Sequence, residues 1–138
     1  MWRVALAILL MQFARYSDAD LIERSEVVVV AEFLGPTQVT PAPGSPAVTY
    51  GVLKVQEVLK GAVPASRNLL LIEQSSPGGF ISSSDITYRA GQTGLWFLRV
   101  RNPGDVGPYL ADHPQRFVPT TDRNFDSLKA LAKAAPRR

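Results

Sequence analysis

With 138 residues, 46% of them apolar, the chain is sized for one domain that buries its own core without staples. The absence of cysteine excludes a disulfide framework, a thiolate metal site and a cysteine nucleophile. The formal charge of +3 is concentrated at the ends: without Arg3 and Arg15, thirteen basic residues face twelve acidic ones, and Arg137 and Arg138 form a terminal pair. A body so near neutrality argues against a polyanionic partner, because phosphate attraction needs clustered positive charge.

In chain order, Arg3 followed by the apolar run Val4–Phe13 is too short to span a bilayer, which takes about 20 residues. It has the layout of a secretory signal. Residues 1–15 are expected to be the signal, with cleavage as late as Ala19, and residues 16–135 one domain followed by a basic tail, 136–138. The mature chain is then periplasmic or secreted, with no stable membrane span. Ser17, with Asp20 three residues on, predicts a capped short helix. Glu26–Leu34 predicts a first strand, and the four valines Val27–Val30 predict burial on both of its faces.

The segment Gly35–Ala47 holds four prolines and predicts a long loop, since proline at this density is excluded from central strands. Val48–Val58 predicts strand two. Its alternation of Leu53 and Val55 with polar residues breaks at Gln56-Glu57, which predicts either a bulge there or the strand's exit into the Lys60-Gly61 turn. Asn68–Gln74 predicts strand three and Gly94–Arg101 strand four. In the latter, adjacent Trp96 and Phe97 face opposite ways, one into the core and the other under a helix. "YLAD" and "RFVP" are two short strand candidates. The C-terminal helix is capped by Thr121 or Asp122, carries the stripe Phe125, Leu128, Leu131 and Ala132, and ends at Pro136. About five short strands separated by turn signals, with a helix at each end, predict a closed antiparallel barrel or a sandwich rather than a βαβ sheet.

Three stretches, "ADLIERSEVVVVAEFLG", "YGVLKVQEVLKG" and "GQTGLWFLRV", carry a resemblance. In this order, from Ala19 to Arg101, they resemble the bacterial relatives of the netrin-like domain, the family that includes the N-terminal domain of tissue inhibitors of metalloproteinases. The resemblance implies a mainly β protein: a five-stranded OB-type closed barrel with a short N-terminal and a C-terminal helix. Those inhibitors chelate a protease zinc through an N-terminal cysteine; this chain has none, so their mechanism is not carried over.

Chemistry is sparse in the sequence. His113, the single histidine, stands beside Asp112, but neighbours on an extended segment point apart, and one histidine meets no triad or metal spacing. Ser82-Ser83-Ser84-Asp85 lacks a nucleophile motif, and Pro77-Gly78-Gly79 lacks the lysine of a phosphate loop. No catalytic residue, metal or cofactor is expected. The expected function is a small exported binding or inhibitor-like module whose partner is a protein or envelope component. Its contacts are expected on Gly35–Ala47 and on Ser75–Ala90, with Phe80 and Tyr88 as anchors. Two alternatives remain. One is a single-stranded nucleic-acid binder stacking bases on Tyr50, Phe80, Tyr88, Trp96, Phe97 or Tyr109 near Arg89, Arg99 and Arg101. The other is an enzyme using His113.

Overall fold

A computed structural model describes residues 15–40, 42–61, 63, 68–73, 88–105, 107–111 and 113–135. Helix α1 (Asp18–Glu23) precedes strands β1 (Val27–Val39), β2 (Val48–Lys60), β3 (Leu69–Glu73), β4 (Thr93–Leu98) and β5 (Phe117–Pro119), and helix α2 (Phe125–Ala134) follows them. The strands form one antiparallel sheet in the order β3-β2-β1-β4-β5.

Burial on both faces of this sheet explains the unbroken apolar runs. Val27, Val29, Ala31 and Phe33 of β1 share one core with Leu53, Leu70, Ile72, Trp96 and Leu98. The alternate residues Val28 and Val30 join Leu95, Phe97 and Val118 under the helices, against Leu21 and Ile22 of α1 and Leu128 and Ala132 of α2. Trp96 is therefore the core residue of its pair and Phe97 the one beneath the helices. Each such side chain contributes about 1.5–3 kcal/mol relative to exposure. The indole N–H of Trp96, fully buried, donates to the Ala31 carbonyl at 2.9 Å.

The irregularity at Gln56 is a bulge, and β2 runs on through it. Val30 pairs with Glu57 but Ala31 with Val55, which leaves Gln56 as the extra residue; a second shift, between Val28 and Val29, leaves Leu59 extra. In a regular strand positions 53, 55, 57 and 59 share one face. The two extra residues instead let Leu53 and Val55 pack on the first core while Leu59 enters the second. Glu57 also reaches the helix side, where Lys129 and Lys133 of α2 meet its carboxylate at 2.8 and 3.1 Å.

The strand ends have their own reasons. Lys60 donates from Nζ to the carbonyls of Ile22 and Glu23, at 2.7 and 3.4 Å, placing a cation at the C-terminus of α1. Gly61 follows at φ +84°, where a Cβ would collide with the Glu26 carbonyl oxygen. The N-terminus of α1 is capped as the sequence predicts: Ser17 Oγ accepts from the Asp20 N–H at 3.2 Å. At α2 the start lies later than Thr121 or Asp122 implies. Asp122 Oδ1 accepts from the Asn124 N–H at 2.8 Å, and Asn124 is the cap residue without a side-chain cap bond of its own. Leu131 of the predicted stripe is 44% exposed.

Three expectations are corrected. The sheet is not closed into a barrel. Its edges are β3, which pairs only with β2, and β5, which pairs only with β4. Among the described residues a two-residue segment links β3 to the residue after β4, with Tyr109 bridging to Ile72 and Leu110 to Arg99. Pro108 just before it has no N–H to extend either ladder. The strands are also not all short, since β1 and β2 each have thirteen residues. Finally, Gly35–Val39 is strand rather than loop. β1 pairs with β4 only from Val27 to Glu32 but with β2 as far as Val39 and Val48. Pro36 therefore lies where no third strand requires its N–H, the edge setting in which proline is tolerated. Among the described residues no helix is long and apolar enough to cross a membrane.

Candidate functional site

Two features stand out. The first is the hairpin arm made by the far halves of β1 and β2; β2 is paired with β3 as far as Tyr50 and Glu73, so the arm extends past the sheet only from Gln38 to Thr49. Phe33 is the last residue tied to the β4 side: its N–H donates to the Gln92 carbonyl at 2.8 Å, and its own carbonyl accepts from Gly91 at 2.7 Å. A register shift follows between Phe33 and Gly35, with Gly35 at φ +129°. Beyond it, Thr37, Gln38 and Val39 pair with Tyr50, Thr49 and Val48. The connection at the tip is turned by a bond from the Ser45 N–H to the Ala42 carbonyl, 3.0 Å. Leu34, Pro36, Gln38 and Val48 are exposed along the arm.

The second is a polar cleft of about 410 Å³ lined by Tyr16, Arg24, Glu26, Arg99, Val100, His113 and Arg116. Arg116 ends the 3-10 turn Pro114–Arg116 and is only 2% exposed. Its Nη1 donates to the Phe97 carbonyl at 3.0 Å and to Ser25 Oγ at 3.2 Å, and Ser25 in turn donates to the Leu21 carbonyl at 2.6 Å. One guanidinium thus ties α1 and the start of β1 to β4. Glu26 Oε2 accepts from the Val100 N–H at 3.0 Å. Gln115 holds the entering chain from both sides: its Oε1 accepts from the Tyr16 N–H at 2.8 Å, and its Nε2 donates to the Tyr16 carbonyl at 3.0 Å. The Tyr16 and His113 rings lie 4.9 Å apart, and the Arg24 guanidinium stands 5.3 Å over the Tyr16 ring, within cation–π range. His113 Nδ1 accepts from the Gln115 N–H at 3.1 Å, so the neutral ring carries its proton on Nε2. Beside the cleft, burial first and the Glu26 charge second push the Tyr109 phenol above its ordinary 10.0.

The anchors expected from sequence fall as follows. Phe80 lies outside the described residues, as do most of Ser75–Ala90, the serine cluster, the Pro77-Gly78-Gly79 turn, Asp112, residues 1–14 and the basic tail. Tyr88 is half-buried: its hydroxyl donates to the Ala111 carbonyl at 2.9 Å, and its ring is 4.7 Å from Trp96 and 5.7 Å from Phe117. Of the aromatics considered for base stacking, Trp96 and Phe97 are fully buried and Tyr109 is 7% exposed, whereas Tyr50 is half-exposed on the arm. Arg101 pairs with Glu73 at 2.8 Å. Among the described residues no group of three or more His, Asp or Glu side chains is placed to hold a metal.

The cleft had no sequence signature. Its residues come from three separated stretches, 16–26, 99–100 and 113–116, and Arg116 read only as the first residue of a short strand. No protein family matches the chain, and no curated protein or solved structure matches it significantly.

Proposed function

We propose that this protein is a small exported binding or inhibitor-like module of the netrin-like kind, acting without catalysis on a protein or cell-envelope partner. The observation that carries the proposal is the hairpin arm. Proteins commonly mount contact residues on projecting segments of a rigid body, and in OB-type folds the connection between the first two strands is a usual binding element. Here that connection is stiffened by ladder pairing up to Val39 and Val48, which lowers the ordering cost of binding. The run Val4–Phe13 supports export.

The test has two parts. Mass spectrometry of the N-terminus of protein recovered from its native host is expected to show cleavage between residues 15 and 19; recovery of the uncleaved chain in the cytosol contradicts export. Capture from the envelope fraction is then compared between the wild type and a variant with residues 40–47 replaced by Asn-Gly, a two-residue hairpin turn. The shortened arm is expected to fold and to lose the captured partner. Equal capture by both proteins contradicts the assignment of contacts to the arm.

A further inference from the structure

The arm carries an open sheet edge, and the bonds on the far side of β2 fix which of its main-chain groups point outward. The Val55 N–H donates to the Asn68 carbonyl at 2.6 Å, away from β1. On β3, the Leu71 carbonyl accepts from the Tyr109 N–H at 2.9 Å, and the Glu73 N–H donates to the Tyr109 carbonyl at 2.8 Å. Leu70 and Ile72 are left to face β2, opposite Leu53 and Gly51. Main-chain groups alternate sides along a strand. Positions 51, 53 and 55 of β2 therefore bond toward β3, and positions 48, 50 and 52 toward β1, where their partners are Val39, Thr37 and Gly35. The N–H and C=O sides of positions 36 and 38 are thus turned outward, to the edge that β4 leaves after Glu32. Among the described residues no strand pairs with this edge beyond Phe33, and Pro36 and Gln38 are both exposed.

We propose that Pro36 keeps the arm from pairing with the arm of a second copy. An outward row of main-chain donors and acceptors is a template for another strand, and proteins protect such edges with charge, proline or a bulge. Charge is missing here: neither Gly35–Val39 nor Val48–Leu53 contains a charged residue, while Thr37, Val39, Val48, Tyr50 and Val52 are good strand formers. The register shift after Phe33 lies at the base of the arm and leaves Gly35–Val39 in regular pairing. Two arms laid antiparallel, with Thr37 opposite its own copy, would bring position 36 of each to position 38 of the other, exchanging an N–H···O bond in each direction. Proline has no N–H, so half of those bonds cannot form, and the Gln38 carbonyls meet no donor. Inside the arm the same proline is harmless, because position 36 owes β2 no bond. The proposal concerns copies of this chain alone and goes beyond the contact surface proposed for the arm.

The test follows self-association of the mature chain by sedimentation equilibrium over a wide range of concentration. Pro36→Thr restores the outward N–H, and Pro36→Val repeats the change with a second β-branched residue. Pro36→Thr combined with Gln38→Pro removes the neighbouring outward N–H instead. Pro43→Thr replaces a proline in the turn at the tip. Thermal unfolding checks that each variant is folded. Pro36→Thr and Pro36→Val are expected to self-associate at least about tenfold more tightly than the wild type, with hydrogen exchange slowed at the amides of positions 36 and 38. The combined variant and Pro43→Thr are expected to match the wild type. Association of the position-36 variants no tighter than that of the wild type overturns the proposal. So does tight association that persists in the combined variant, that Pro43→Thr reproduces, or that leaves the amides of positions 36 and 38 unprotected.

Discussion

At the residue scale, two charged side chains fasten the layers together in opposite ways. Glu57 does so near the surface. Hydrogen bonds from Lys129 and then Lys133 hold its carboxyl below the ordinary value of 4.5. The folded state therefore favours the ionised form. The stabilisation is complete above the unfolded-state value and is lost as pH falls through the lowered folded-state value. The stability difference between wild type and Glu57→Gln, measured by urea titration, is expected to be present at neutral pH. It is expected to shrink as pH falls below the ordinary value of 4.5 and through the lowered folded-state value, and to shrink with added salt. Arg116 works from the interior. Arg116→Met would remove the donor to a buried carbonyl and to a buried hydroxyl, and each orphaned buried group costs about 1–3 kcal/mol. A loss of about 2–4 kcal/mol is expected in the same measurement.

At the scale of elements, the bulge at Gln56 decides which way the end of β2 faces. Gln56 itself is exposed, so Gln56→Ala is expected to change stability by less than about 0.5 kcal/mol. Deleting the residue is a different perturbation. A shift of one position turns every following side chain to the other face, taking Glu57 from the α2 lysines and Leu59 from the core beneath the helices. Loss of cooperative thermal unfolding is expected, and a deletion variant with wild-type stability would contradict this role for the bulge. The bulge was legible in the sequence because Leu53 and Val55 set a clear beat that Gln56-Glu57 broke. The two-faced burial of β1 and β4 was legible for a similar reason: Val27–Val30 and Leu95–Leu98 have no polar residue with which to face water. The arm was not legible. Whether Pro36 fits a strand depends on where β4 stops pairing, which is a tertiary fact.

At the scale of the whole molecule, the sheet with helices on one face and the Tyr109–Ala111 segment on the other makes a stiff body from which the β1–β2 arm extends. The cleft escaped sequence reading because folding, not a motif, brings Tyr16, Arg24, Arg99 and Arg116 together across 100 residues of chain. The barrel expectation went further than the pairing does, because a pattern of β-branched runs and turns gives the strands but not how the two edges meet. The division of labour proposed here, body for rigidity and arm for contact, is tested most directly by photo-crosslinking in the native host. A photoreactive residue is placed at Gln38, exposed on the arm, or at Asp126, exposed on α2. A discrete adduct is expected from position 38 and none from position 126. Silence at position 38, or the same adduct from both, would contradict a contact surface on the arm.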